Sequence, residues 1–270
     1  MIVDVLLPSV LFVIMLIDVF LYRRYERRFS SFFGERELHL RDIVLLVAAM
    51  GVMVTVLVFI PSMAIMVGFL YVYAMVLFIF TYMVIPKFHL AILTPALFVA
   101  LYLLYRNTVW WSPYLLDVFA IIFSVLVSVY MGSLFSWKTT ALFVGLLTVM
   151  DIIQVFGTRF MVATGERLIQ LSLPVVIILP TFPSQVGLMA LGLGDIFLAG
   201  LLSIQTTQKY GKRFGIASMI AIAVVFLILE TLLLNYRIPY FPATVLVIAG
   251  WLIALGARQL RVYYRGLQLS

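Results

Sequence analysis

The chain has 270 residues, of which 65% are hydrophobic and 11% charged, with a net charge of +7 and no cysteine. A soluble chain of this length needs roughly a quarter of its residues charged to cover its surface, so the solvent here is largely lipid and the basic excess does not point to nucleic acid. The absence of cysteine removes disulfides, thiolate metal sites and thiol nucleophiles together.

A bilayer core is crossed by roughly 20 apolar residues in helical form. Nine stretches bounded by charge or proline meet that length: Val3–Tyr22, Ile43–Ile60, Met63–Ile85, His89–Tyr105, Trp111–Leu134, Thr139–Gly157, Val186–Ile204, Phe214–Leu234 and Tyr240–Ala257. No Lys or Arg precedes Arg23, so the first stretch lacks the basic flank of a cleaved secretory signal and is expected to be a retained span. Between the sixth and seventh stretches, Leu173–Thr181 is apolar but too short to cross. Its prolines and β-branched run predict a short extended segment at the membrane edge. No linker, repeat or soluble domain is visible. The expected fold is an all-α membrane protein of nine transmembrane helices in one polytopic domain, residues 1–270.

Charge orients the expected spans. Arg23, Arg24, Arg27, Arg28, Arg36, Arg41, Lys87, Lys138, Lys209, Lys212, Arg213, Arg258, Arg261 and Arg265 fall on one side, whereas the other holds only Arg106, Arg159, Arg167 and Arg237. The positive-inside rule then places the N-terminus outside and the C-terminus in the cytoplasm. Trp110, Trp111 and Trp137 fall near span ends, where an aromatic belt is expected.

Acidic residues inside spans are costly and are functional candidates by default. Five qualify: Asp18, Asp117, Asp151, Asp195 and Glu230. Asp18 falls within reach of Arg23 and Arg24, Asp117 lies near the outer start of its span, and Glu230 has Arg237 nearby, so structural or interfacial roles suit all three. Asp151 and Asp195 are deeper. At about 1.5 Å per residue, each lies roughly 9–14 Å from the outer face, and adjacent antiparallel helices would bring them to one depth. Two facing carboxyls in a low dielectric share one proton, the working state of an aspartic-protease dyad. A structural polar pair or a proton relay fits the same depth. Gly192 and Gly194 stand directly before Asp195. Small residues let helix backbones approach in a membrane, and glycine makes a helix easy to open where a protease must admit a substrate backbone and a water.

The block Gly192-Leu193-Gly194-Asp195 resembles the GxGD motif of the presenilin and signal peptide peptidase aspartyl proteases, which in that family lies on the seventh of nine spans. The Leu173-Pro174 and Leu179-Pro180 pairs leading into it are similar to the corresponding stretch of signal peptide peptidases. The family's other aspartate, usually Tyr-Asp on the sixth span, corresponds to Met150-Asp151, and its Pro-Ala-Leu to Pro242-Ala243-Thr244. A literal Pro95-Ala96-Leu97 lies on the wrong helix. The resemblance covers residues 139–257 in motifs and the rest in span count. It is to prokaryote-type presenilin homologues, and it implies helices 6–9 (139–257) as catalytic core and helices 1–5 (1–138) as scaffold.

The resemblance further implies Asp151 and Asp195 as the catalytic pair and an unwound substrate helix added as a strand beside them. Val175, Val176, Ile177, Ile178 and Leu179 are the candidate pairing edge; Gly192, Leu193, Gly194, Pro242, Ala243 and Thr244 are candidate substrate contacts. The implied partners are transmembrane-helix peptides and the lipid bilayer, with no obligate partner subunit, no nucleic acid, no metal and no organic cofactor. The N-outside orientation matches signal peptide peptidases more than presenilins. His39 and His89 do not form the His-Glu-x-x-His of a zinc protease, and no Gly-x-Ser-Gly loop occurs. Prepilin peptidases also carry GxGD, but their partner would be Asp18, six spans away. A proton-coupled transporter and a lapsed presenilin-like protein are the remaining alternatives.

Overall fold

The computed structural model describes residues 2–33, 38–184, 187–238 and 241–268. The chain runs α1 (Leu6–Phe33), α2 (Leu40–Leu57), α3 (Ser62–Val84), α4 (Phe88–Tyr105), α5 (Leu116–Leu134), α6 (Trp137–Ile152), α7 (Phe160–Gln170), β1 (Val176–Pro180), β2 (Leu188–Gly192), α8 (Leu193–Tyr210), α9 (Lys212–Asn235) and α10 (Ala243–Gln268). Single π-helical turns, Trp111–Leu115 and Ile153–Gly157, precede α5 and extend α6. Among the described residues, eight helical stretches are long and apolar enough to cross a membrane: α1 to α6, with the two π turns included, α9 and α10.

Those eight match eight of the nine expected spans. The expected seventh, Val186–Ile204, is corrected. Val186 lies outside the described residues, 188–192 form a strand, and the helix begins only at Leu193. Backbone pairing with β1 captures the first part of that apolar run, which glycines at 187, 192 and 194 make a poor helix. The ninth span begins at Ala243; Tyr240 lies outside the described residues and Pro242, which has no N–H, directly precedes the helix.

Helix α8 is not apolar enough to be read as a span, and its position explains why. Every residue from Asp195 to Thr207 is buried, with α1, α5, α6, α9 and α10 packed around the helix. A helix sheathed in protein can carry polar residues provided they are paired. Gln205 Nε2 donates to the carbonyls of Gly132 (3.0 Å) and Phe135 (2.7 Å) at the end of α5, and Trp251 Nε1 on α10 donates to Thr206 Oγ1 at 2.9 Å. An aromatic cluster of Tyr73, Phe98, Tyr102 and Trp111 ties α3 and α4 to the start of α5 and continues to Leu173 and Val176 beneath β1. Trp111 is therefore not part of an interfacial belt: it is fully buried and donates from Nε1 to the Ser172 carbonyl at 2.8 Å.

The two ends of the bundle differ. At one, Ile2 meets Asn235, Val5 meets Phe182 and Arg167 meets the end of α2. At the other, Arg28 meets the end of α3, Lys209 lies over Trp137 and Arg258 over Tyr210. This second end gathers the described part of the arginine- and lysine-rich set; Arg36 lies outside the described residues.

Candidate active site

Strand and helix join without a loop at Gly192, which ends β2 and caps α8 (φ −68°, ψ 148°). Asp195 therefore sits in the first turn of α8, not halfway along a span, and it is the hairpin that brings the chain to that depth. The first backbone N–H groups of a helix have no intrahelical partner, and the helix dipole favours negative charge there. A Cβ on Gly192 would lie 3.3 Å from Asp195 Oδ2, so the glycine leaves the carboxyl its room. A side chain at Gly194 would meet nothing within 4 Å.

Asp151 comes from the last turn of α6, just before the π turn, and is 2% exposed; Asp195 is 7% exposed. The two carboxyls lie close enough to act on each other electrostatically. Gln154, on the π turn, fixes this end of α6 by donating from Nε2 to the Gly51 carbonyl of α2 at 2.9 Å. Thr244, in the first turn of α10, completes the group. Its free backbone N–H faces Asp195 and its hydroxyl faces Asp151, although Oγ1 falls short of hydrogen-bond geometry. The site thus joins the N-termini of α8 and α10 to the C-terminal end of α6. Pro242 and Thr244 are buried and Ala243 half-buried beside it, as is Leu193.

The hairpin pairs Val176 with Gly192, Ile177 with Leu191, Ile178 with Ala190, Leu179 with Met189 and Pro180 with Leu188. Val175 extends the ladder by accepting from the Leu193 N–H at 3.0 Å. The Ile178 N–H points away from β2 and donates to Asp117 Oδ1 at 2.8 Å. Because antiparallel residues alternate between bonding across the ladder and facing outward, the opposite residues Leu188, Ala190 and Gly192 direct their backbone groups to the far edge of β2. Leu188 and Ala190 are exposed. Of the expected pairing edge 175–179, residues 176–179 pair with β2 on one side. The outer edge of β1 is closed by Asp117 and by Pro180, which has no N–H, and the open edge belongs to β2 and ends at the aspartates.

The other acidic residues also depart from expectation. Asp18 does not reach Arg23 or Arg24; it is fully buried against Gly200 of α8 and Ser128 of α5, with neither oxygen hydrogen-bonded. Glu230 does not pair with Arg237 but lies near Asp4, and both its oxygens are buried without a hydrogen bond. Asp4, which the sequence reading passed over, accepts at Oδ1 from the N–H groups of Leu6 (3.0 Å) and Phe182 (3.1 Å), while Val5 N–H donates to the Phe182 carbonyl at 2.7 Å. The N-terminal segment is thereby strapped to the hairpin turn. Its only sequence signal is an acidic residue just before an apolar run. Among the described residues, no group of three or more His, Asp or Glu side chains is placed to hold a metal ion.

A multi-pass helical membrane protein that closes two buried carboxyls between helix ends, at the foot of a two-stranded hairpin, has the parts of an aspartyl protease set within the bilayer. The family model for signal-peptide peptidase, presenilin aspartyl protease matches residues 38–233, and the chain belongs to that family. The matched region contains both aspartates and the hairpin and ends before α10. No curated protein matches the chain.

Proposed function

We propose that the protein is an intramembrane aspartyl endopeptidase of the GxGD type that hydrolyses peptide bonds within transmembrane segments, with Asp151 and Asp195 as the catalytic pair. The observation that carries this reading is the meeting of two buried carboxyls, one from α6 and one from α8, beside the open edge of β2. One proton is held between the two carboxyls. The unprotonated carboxylate takes a proton from water as the water oxygen attacks the scissile carbonyl carbon, and the protonated partner gives its proton to the carbonyl oxygen. The tetrahedral diol then collapses: the C–N bond breaks, the nitrogen takes up a proton, and a carboxylate and an amine are released. The N-termini of α8 and α10 supply a field favouring the negative charge that develops at that carbon's oxygens.

The substrate must be unwound for this chemistry, since helical hydrogen bonds hide its carbonyls. Adding the unwound segment as a strand on Leu188, Ala190 and Gly192 supplies replacement backbone partners. Gly194 leaves open space next to Asp195, and Leu193 with Pro242, Ala243 and Thr244 bounds the side chains of the incoming strand. Helices α6 to α10 form the catalytic core and residues 1–138 the scaffold of one membrane domain, with α8 as the seventh, protein-sheathed span. The arginine- and lysine-rich end faces the cytoplasm, so the N-terminus is outside, and the preferred substrates are membrane segments whose N-terminus is cytoplasmic.

The test is cleavage of a reporter transmembrane peptide by the purified protein in liposomes, comparing wild type with Asp151→Asn and Asp195→Asn. Loss of all cleavage with either change, together with inhibition by a hydroxyl-bearing transition-state analogue, is the expected result. Cleavage that survives either change refutes the dyad.

A further inference from the structure

Away from the aspartates, α1 borders two cavities of unlike character. The first, of about 360 Å³, lies in the seam between residues 5–13 of α1 and 220–227 of α9. Its one hydroxyl, Ser9 Oγ, is turned back onto the Val5 carbonyl at 2.7 Å, so the wall is hydrocarbon. The second, of about 450 Å³, lies at the arginine- and lysine-rich end, where Tyr22, Arg23 and Glu26 of α1 meet Thr207, Gln208 and Gly211. Gln208 Nε2 donates to the Tyr22 hydroxyl there at 2.7 Å. Both volumes are in the range that holds small ligands. Helices α1 and α9 run antiparallel, since the Ile2 N–H meets Asn235 at one end and Arg23 borders a cavity with Gly211 at the other. The spacing 5, 9, 12, 16, 19, 23 keeps one face of α1 on the seam, and 213, 216, 220, 223, 227 keeps one face of α9 there. Apart from Ser9, each face is apolar until it reaches an exposed arginine, Arg23 or Arg213, at the basic end. Among the described residues neither arginine forms an ion pair or a hydrogen bond, and Arg23 does not pair with Glu26 on the next turn.

We propose that this seam binds one anionic glycerophospholipid. Its phosphate is held by Arg23 and Arg213, its hydroxyl-bearing head group enters the cavity of Glu26 and Gln208, and an acyl chain runs along the seam into the apolar cavity. A guanidinium meets a phosphate with paired, charge-assisted hydrogen bonds, and basic pockets between transmembrane helices hold anionic head groups in this way. Helix α9 begins beside Gly211, so the positive end of its dipole favours the same charge. Glu26 accepts from a head-group hydroxyl. Depth agrees with this order of head and tail. Val13, at the edge of the apolar cavity, is ten residues from Arg23, about 15 Å along the helix. That is half of a hydrocarbon core about 30 Å thick, the depth that the chains of one leaflet fill. A transmembrane helix from a second copy would cover the apolar faces but would bring no phosphate to the two arginines. The lipid site is independent of the proteolytic reading, because neither its residues nor its ligand takes part in the hydrolysis.

The experiment is native mass spectrometry of the full-length protein released from nanodiscs of palmitoyl-oleoyl phosphatidylglycerol and palmitoyl-oleoyl phosphatidylcholine in equal parts. Wild type should keep one phosphatidylglycerol at collision energies that strip every other lipid. In titrations with that lipid, Arg23→Gln and Arg213→Gln should each lower the apparent affinity about tenfold, the loss of one charge-assisted hydrogen bond. Ala223→Trp fills the apolar cavity with both arginines in place and should lower it as much. Arg258→Gln is the control, because that guanidinium lies over Tyr210 of α8, at the same end but on α10, and it should stay within about twofold of wild type. Phosphatidylcholine kept as well as phosphatidylglycerol overturns the proposal, as does a control that loses as much as Arg23→Gln. An Ala223→Trp protein with wild-type affinity also overturns it, leaving a site for the phosphate alone. One arm needs no variant. Phosphatidylglycerol carrying a diazirine at the end of one acyl chain, irradiated with wild type in vesicles of the same composition, should label residues 5–13 and 220–227. Labelling confined to other helices, or a seam cross-linked to a second copy and not to lipid, overturns the proposal.

Discussion

Replacing Gly250 by alanine tests whether the contact between α9 and α10 sets the geometry of the candidate site. A Cβ at Gly250 would lie 2.5 Å from Ile222 Cα, 3.0 Å from the Ala221 carbonyl oxygen and 3.1 Å from Ile222 N. Carbon atoms in good contact are about 3.5–4.0 Å apart, so the deficit at Ile222 is about 1 Å. All three obstructing atoms belong to backbone, and no side chain can swing aside. The helices must part, at an overpacking cost of about 1–3 kcal/mol, partly offset by the roughly 1 kcal/mol that alanine gains over glycine in a helix. Thr244 is on the same helix, about 9 Å up its axis at 1.5 Å per residue, so the parting reaches the candidate site. A displacement of about 1 Å there is enough to lower turnover on the order of 100-fold. The assay is thermal unfolding in detergent alongside cleavage of the reporter peptide, with Gly145→Ala as the control, because a Cβ at Gly145 meets nothing within 4 Å. Gly250→Ala should lose several degrees of Tm, by the rule of about 2–4 °C per kcal/mol, and most of its activity, while Gly145→Ala stays near wild type in both. A Gly250→Ala protein as stable and as active as the control refutes the argument that backbone contact leaves no room.

Three further outcomes follow from single contacts. Asp117→Ala leaves the half-buried Ile178 N–H without an acceptor, at about 1 kcal/mol, and should raise amide exchange across 176–192, whereas Asp117→Asn retains an acceptor oxygen and should not. Arg167→Ala removes the guanidinium that accepts no bonds but donates to the carbonyls of Leu57, Val58 and Ile60, the unpaired end of α2; limited proteolysis should then cut within 160–170 at protease levels that spare wild type. Gln205→Leu strands the Gly132 and Phe135 carbonyls inside the bundle and should lower Tm by several degrees, at about 1–3 kcal/mol, with the hairpin's amide exchange unchanged.

The apolar runs of α1 to α6, α9 and α10 were legible because lipid-facing helices must be apolar along their length, and composition alone reports that demand. The two aspartates were legible for the converse reason: a carboxyl in such a run is too costly to be incidental. What composition hides is the difference between an apolar helix and an apolar strand in a run as short as Leu188–Gly192, where only pairing with β1 decides. Helix α7 escaped notice because it lies within a stretch too polar to cross, and its place depends on Arg167 reaching the end of α2. Partners assigned by proximity in sequence failed for Asp18 and Glu230. Each turns its side chain into the bundle, toward residues far along the chain, and not along its own helix toward the nearest arginine.

The polar character of α8 joins these observations to the chemistry. A span facing lipid could not carry Asp195, Ser203, Gln205, Thr206 and Thr207 on one helix, because each polar group would face hydrocarbon. Sheathing the helix with α1, α5, α6, α9 and α10 replaces lipid with protein, in which Gln205 and Thr206 find partners on α5 and α10. Non-helical backbone survives at membrane depth only where protein or a water-filled cavity covers it, and β1 is covered in this way by the aromatic cluster of α3, α4 and α5. The open edge of β2 is the exception to that rule. In the function proposed above, an added substrate strand pairs these backbone groups, so substrate binding and unwinding draw on the same hydrogen bonds. The two helix N-termini and the buried aspartates lie at the end of that edge, where the proposed function brings an unwound carbonyl.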